Sequence, residues 1–436
     1  MRKSDRYCFV KKQVPQYTDC AYRTVPFFGA IGAERIASIK KRRKKRILFL
    51  FCTALFALFA AVLFPVLSYS LCGAGEEAKS GKDALNENIY GQIGALDLEE
   101  LQKYADEIGV FDGESVAERI ISYIGGDSFS YGDFFTQMKA LFFKDVQDLL
   151  PAFASIAAIT LLGGVVAAIG NASGGVGNIS FLVLFSAALL PVLVVMTQCF
   201  TAAKSALESM NRQIQIVFPI LLTLMSVSGG TVSAAIYTPA VAFLSTGAIA
   251  LILNVLLPLS VTIVAFSVAG NLSPELKLNR FSAFFRSMNK WLIGVCVSVF
   301  GLFFTAQGIG AATYDGIVRR AAKYAIGTGV PIIGGFLSGG FDLAVAGSAL
   351  IKDSVGYLAM ILLLAVVFKP LVLLIASNLL FRFTAAVSQP LGESRISDFL
   401  SETADNINLV LAALLMAAFL YFVMLLLCVF ASRAAL

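Results

Sequence analysis

There is no histidine anywhere in the chain, and that absence removes a large share of enzyme chemistry. Histidine is the commonest general base near neutral pH and the commonest metal-ligating side chain. A Ser-His-Asp triad, a Cys-His dyad and an HExxH zinc helix are therefore excluded. The seven cysteines (Cys8, Cys20, Cys52, Cys72, Cys199, Cys296 and Cys428) are scattered, with no CxxC pair. Neither a disulfide framework nor a thiolate metal site follows from such spacing. Charge is also scarce, at 14% of residues, where soluble domains carry about 25%. The expectation is a protein with no cofactor, no metal and no catalytic residues.

Apolar residues are what the chain has instead: 58% of it is hydrophobic, with a mean hydropathy of +0.81. Several runs reach the length that crosses a hydrocarbon layer as a helix. Spans are expected near 151–170, 179–200, 214–228, 236–253, 254–270, 291–312, 355–381 and 407–431. The stretch 331–350 is so interrupted by glycine that it fits a re-entrant or split helix. The fold class is all-α: a polytopic integral membrane protein with an N-terminal signal or anchor segment, a small helical ectodomain, and two repeated membrane units with broken or re-entrant segments.

The net charge of +6 conceals a partition. Residues 1–46 form a basic cytoplasmic tail with 14 Lys/Arg against 3 Asp/Glu; residues 71–149 carry 6 against 16. Between them, "KKRRKKR" (40–46) precedes the apolar segment 47–70, the pattern of a secretory signal peptide or an uncleaved signal anchor. The basic cluster stays in the cytoplasm, so the acidic segment is exported. The excess of positive charge comes from this tail; no motif or aromatic-basic platform points to nucleic acid. "GEEAKSGKD" (75–83) imitates a phosphate-binding loop, but its glycines are one residue too far apart and Asp83 replaces the magnesium-holding hydroxyl. It is a polar linker. The ectodomain, 71–149, then shows helix starts at Asp97 with Glu100 and at Ser115 with Glu118, and a stop at Gly125-Gly126.

First membrane helices are expected over 150–213, followed by a repeat. Ser-Gly-Gly occurs at Ser228, Gly229, Gly230 and again at Ser338, Gly339, Gly340. Pro219 and Pro331 precede the two sites; Pro258 and Pro370 follow them by 30 and 32 residues. R-x-S-x-F then recurs at Arg280 and Arg395. Unit 1 spans 214–312 and unit 2 spans 326–431. Paired Gly/Pro-interrupted segments in corresponding halves point to a functional centre; close packing through small residues is the alternative. Segment 271–290 holds four basic residues against one acid, and 382–405 holds two against four. That contrast leans toward units on opposite sides of the membrane, hence inversion.

Ionisable residues inside apolar sequence are few. Lys369 is expected to face protein or water, because a charge in the bilayer centre costs at least about 2.5 kcal/mol. Asp342 reads as a cap for the helix that follows it.

Several blocks, "MSVSGGTVSAAIYTPAVAF", "FTAQGIGAATYDGIVRRAAKYAIG", "VPIIGGFLSGGFD", "ALIKDSVG" and "FKPL…QPLG", resemble the stage III sporulation protein AE family of endospore-forming bacteria, over roughly 115–431. The resemblance implies a mother-cell protein in the membrane around the engulfed forespore, within a complex described as a channel or feeding tube. It implies as partners a secretion-type ATPase, small membrane proteins and ring-forming proteins, besides membrane lipid. The ring meets the forespore protein called stage II sporulation protein Q. No catalytic residues come with the resemblance. The competing function is a secondary transporter moving a small solute through the repeat interface.

An exported acidic segment is testable by reporter fusion near residue 110. A reporter active only outside the cytoplasm should be active there; activity of a cytoplasm-only reporter would overturn the assignment.

Overall fold

The computed structural model describes residues 79–109, 113–125, 131–170, 176–272, 278–308, 334–389 and 394–431, with Asp315, Arg320, Ala321 and Tyr324. The basic tail, the signal or anchor segment and Pro331 lie outside the described residues. The described chain is helical and is that of an all-α polytopic membrane protein. Three short helices come first: α1 (Lys79–Ala95), α2 (Glu99–Ile108) and α3 (Val116–Ile124). The helices long and apolar enough to cross a membrane, six among the described residues, follow. They lie within α4 (Tyr131–Gly170), α5 (Val176–Val227), α6 (Thr231–Leu272), α7 (Asn279–Gly308), α8 (Gly334–Ser388) and α9 (Ser394–Ala431).

The expected spans 179–200 and 214–228 are parts of one 52-residue helix, α5. The more polar residues 201–213 lie between those two expected spans and belong to neither. They are instead the wetter part of a continuous helix, where Lys204 and Glu208 pair one turn apart at 3.6 Å. At about 1.5 Å per residue α5 is about 78 Å long, more than twice the hydrocarbon thickness. The expected spans 236–253 and 254–270 likewise merge into α6, whose two α-helical parts, Thr231–Ala242 and Leu257–Leu272, are joined through π-helical turns at Phe243–Ile249 and Ile252–Leu256. The expected re-entrant stretch within 331–350 is, from Gly334 onward, the start of the 55-residue α8.

Side-chain pairings give the direction of each helix. Lys352 meets Val429 while Asn378 meets Ala404, so α8 and α9 are antiparallel. Phe185 packs on Phe399 and Phe218 on Tyr421, so α5 runs alongside α9 in the same direction. Ser267 meets Glu402 and Ser260 meets Asn406, which sets α6 antiparallel to α9. Phe243 stacks on Phe300 and Ser260 bonds Asn289, so α7 returns along α6. The helix ends at 272, 279, 388 and 394 therefore share one end of the bundle. The ends at 227, 231, 308 and 431 share the other.

This geometry overturns the inverted arrangement. Of the basic 271–290 and the acidic 382–405, the described parts 278–290 and 394–405 are side by side, joined by an ion pair between Arg286 and Asp405 at 3.6 Å. Their charge contrast is complementarity across a contact, not a sign of opposite sides. Arg280 and Arg395 are each the second residue of their helix, α7 and α9, so these landmarks correspond in the two hairpins.

The short helices dock on the bundle. In α1, Gln92 donates to the Ala344 carbonyl at 3.1 Å and accepts from Ser348 Oγ at 2.8 Å. In α2, Tyr104 donates to the Ser209 carbonyl of α5 at 3.0 Å, and Glu107 pairs with Arg212 at 2.5 Å. In α3, the Tyr123 ring meets Tyr357 edge-on at 4.9 Å. Burial raises the Tyr123 hydroxyl to about 12, so it stays neutral through the physiological range. The helix start at Ser115 is as expected: Glu118 accepts from the Ser115 backbone at 3.4 Å. The other start is shifted by one residue, with Leu98 at the cap and Asp97 accepting from Glu99 N–H at 3.3 Å.

The α8–α9 pair is the axis. On α8, Ile351, Val355, Leu358 and Leu362 form a fully buried stripe at helical spacing. Apolar burial gains little against lipid, so tight van der Waals contact must hold this pair. Gly356 permits it: an added Cβ would overlap the Val429 side chain. Gly356→Leu should therefore destabilise by about 1–3 kcal/mol, seen as a lower unfolding midpoint in detergent. Gly294→Ala, where a Cβ meets nothing within 4 Å, should be neutral or slightly stabilising.

Candidate functional site

Two polar groupings lie inside the apolar bundle. The first is built on the break at Ser228–Gly230. Helix α5 stops because Gly229 takes φ +90°, a left-handed conformation that favours glycine. The stop is closed by hydrogen bonds from Gly230 N–H to the Met225 carbonyl at 2.8 Å and from Ser228 Oγ to the same carbonyl at 2.9 Å. Gly230 is close-packed, since an added Cβ would lie 3.0 Å from Met225. Helix α6 then begins at Thr231 with free N–H groups and the positive end of its dipole.

Those groups are received by Asp315, a fully buried carboxylate. Its Oδ1 accepts from Val232 N–H at 3.0 Å and Ser233 N–H at 3.3 Å. Its Oδ2 accepts from Ser233 Oγ. This is an N-cap supplied from elsewhere in the chain. It works because a glycine-only break leaves no side chain of its own to do so.

The second Ser-Gly-Gly does not match. Ser338, Gly339 and Gly340 lie within the opening turns of continuous α8. Gly340 faces open space, with nothing within 4 Å of an added Cβ. The expected break at 336–346 is absent, and Asp342 is inside the helix, not at its cap. Lys369 is exposed on the bundle surface, while the neighbouring Pro370 is buried. The enclosed lysine of α8 is Lys352, fully buried, which donates to the Val429 carbonyl at 2.8 Å in the last turn of α9. A cation there complements the negative helix end.

The second grouping is a seam between α6, α7 and α9. Three polar stripes converge: Ser260, Ser267 and Asn271; Ser282, Arg286 and Asn289; Glu402, Asp405 and Asn406. Asn289 Nδ2 donates to Ser260 Oγ at 2.8 Å, and Asn406 Nδ2 donates to the Ser260 carbonyl at 2.9 Å. Ser267 Oγ donates to Glu402 Oε2 at 2.5 Å. Asp405 faces Arg286 at 3.6 Å and Arg382 of α8 at 3.1 Å. Arg382 Nε in turn donates to Asn378 Oδ1 at 3.0 Å.

None of the seam's charged residues was singled out from sequence. Segments 279–290 and 394–405 looked like loops because of their charge. The usable signal was spacing: 282, 286 and 289, like 402, 405 and 406, fall on one face of a helix. Asn254, polar and inside an apolar run, is exposed and takes no part.

Fold and seam together define a multi-pass α-helical membrane protein with two antiparallel helix hairpins locked side by side through a polar interior. A family model described as stage III sporulation protein AE matches residues 115–432, covering both hairpins, the break and the seam. The chain belongs to the stage III sporulation protein AE family. It is similar to the stage III sporulation protein AE of Bacillus subtilis (strain 168), at 23% identity over 357 residues, covering 80% of this chain and 90% of that protein. No solved structure matches. Family membership assigns a sporulation-related role in a membrane.

Asp315→Leu should cost about 1–2 kcal/mol through loss of the cap, visible as a lower unfolding midpoint and new protease cleavage between 225 and 235. Asp315→Asn, which keeps one acceptor, should lose less. A wild-type midpoint for Asp315→Leu would mean that the cap adds no stability.

Proposed function

We propose that this chain is a non-enzymatic membrane component of a channel or secretion complex connecting mother cell and forespore, seated in the mother-cell membrane that surrounds the forespore. The observation that carries this reading is the family match across nearly all of the helical bundle. Two structural features support it. The short helices α1–α3, of which α2 is strongly acidic, are braced on α5 and α8 at the end opposite the hairpin turns; with that end facing the exported space they would form a platform for partner proteins. The hairpins are parallel, so they lack the inverted relation that supports alternating access in many transporters. A secretion-type ATPase, small membrane proteins and ring-forming proteins are the proposed partners.

The polar seam favours the second reading, a secondary transporter for a small solute, since such seams line polar paths in membranes. Affinity purification of the tagged full chain from sporulating cells in mild detergent separates the two. The complex reading expects the ATPase and ring proteins to co-purify, and the purified chain alone to move no solute into liposomes. Solute uptake by the chain alone, without those companions, would establish the transporter.

A further inference from the structure

Helix α5, at about 78 Å, is too long to lie within one hydrocarbon layer, and the surface of the bundle shows where it leaves. Lys369 is exposed on α8. Gln213 of the antiparallel α5 reaches the Ala359 carbonyl at 2.8 Å, so Lys369, further along α8, is level with Lys204, which is exposed too. Gly163 lies against Leu184 and Phe153 against Phe381, so α4 is antiparallel to α5 and brings the exposed Lys144 to the same height. Asn378 bonds Ala404 and Asn406 bonds Ser260, which sets the exposed Asn254 of α6 level with Lys369. On α7, Lys290 and Trp291 follow Asn289, which bonds Ser260. Trp291, the single tryptophan of the chain, is 66% exposed. Polar or amphipathic side chains from five helices thus circle the bundle within about one turn of a common level.

The two sides of this belt differ. Towards the hairpin end the outer surface of α4, α5 and α8 is apolar: Leu161, Leu162, Leu190, Val194, Leu379 and Phe383 are exposed. From Lys369 to the end of α8 at Ser388 the rise is about 28 Å, and from Asn254 to the end of α6 at Leu272 it is about 27 Å. The hydrocarbon layer is about 30 Å thick. Towards the break at Ser228–Gly230, α2 is fixed to Ser209 and Arg212 of α5, and its Lys103–Glu99 pair is 66% and 75% exposed. Val299 and Leu302 of α7 are exposed on that side as well. Apolar side chains are common on surfaces in water, whereas exposed charges are rare in lipid, so the charges decide. We propose that the bilayer encloses only the hairpin half of the bundle, its headgroup phosphates meeting the belt of lysines and Trp291, and that the break half stands in water with α1–α3. The apolar residues 214–227, expected as part of a span, are then outside the lipid. The α8–α9 contact begins in lipid and continues beyond it to Gly356, where removal of apolar surface from water adds to the fit. This placement is independent of which partners the chain assembles with.

Thiol accessibility tests it. Full-length protein in lipid nanodiscs, carrying Thr223→Cys or Leu190→Cys, is treated with a small cationic methanethiosulfonate and read peptide by peptide, so that native cysteines are scored separately. Both positions are exposed on α5, one on each side of Lys204. The reagent needs a thiolate, which forms only in contact with water. Thr223→Cys should react at least about tenfold faster than Leu190→Cys. Gln215→Cys and Leu379→Cys carry the same comparison if either of the first variants does not fold. A smaller ratio, or the reverse order, would overturn the proposal.

Discussion

The bundle rests on the close approach of α8 and α9 where Gly356 faces Val429. Lipid tails are as apolar as leucine, so helices in a membrane are held by the fit between their surfaces and by internal polar bonds, not by escape from water. A missing side chain at Gly356 lets the helices touch. One turn away Lys352 ties the same meeting point by donating to the Val429 carbonyl. Every other long helix takes its place by packing on this pair or on a helix that does so; α7 packs along α6 and reaches α9 through the polar seam. Of the described residues, those in α8 and α9 are accordingly the most enclosed.

Polar groups in such a bundle have two solutions, and both are present. At the α5–α6 break a single carboxylate, Asp315, satisfies a helix start that glycine cannot cap. In the seam, polar residues from α6, α7 and α9 serve one another, and Arg286 and Arg382 share Asp405. The first solution is compact and fully paired. The second is extended and incompletely paired: Asn289 Oδ1, Asn406 Oδ1, Ser282 Oγ and Arg286 Nε find no partner among the described residues.

Helix content and membrane insertion were legible because they depend on local composition, and the Ser228–Gly230 break was legible because only glycine tolerates a positive φ there. The second break was misjudged for an instructive reason. Ser338–Gly340 has the same letters, but a glycine pair ends a helix only when the following chain has somewhere to go; here α8 continues through it. Lys369 drew attention by its apolar neighbours, while Lys352, beside Asp353, did not. Hydropathy cannot tell which side of a helix a residue occupies. The seam was hidden for the converse reason: its charges suggested loops, and only tertiary pairing reveals that Arg286 meets Asp405 across the two hairpins.

The cap on α6 has a consequence for the order of events during synthesis. Val232 and the carboxylate that receives its N–H are 83 residues apart. The closure entropy of such a loop grows only slowly with its length, so distance itself is a small obstacle. Time is the larger one. Until the ribosome has delivered Asp315, the start of α6 lacks the side chain that receives its first N–H groups. The chain through α7 must therefore be made before the cap can form, and the joint between α5 and α6 is completed late, by a residue that neither helix contains.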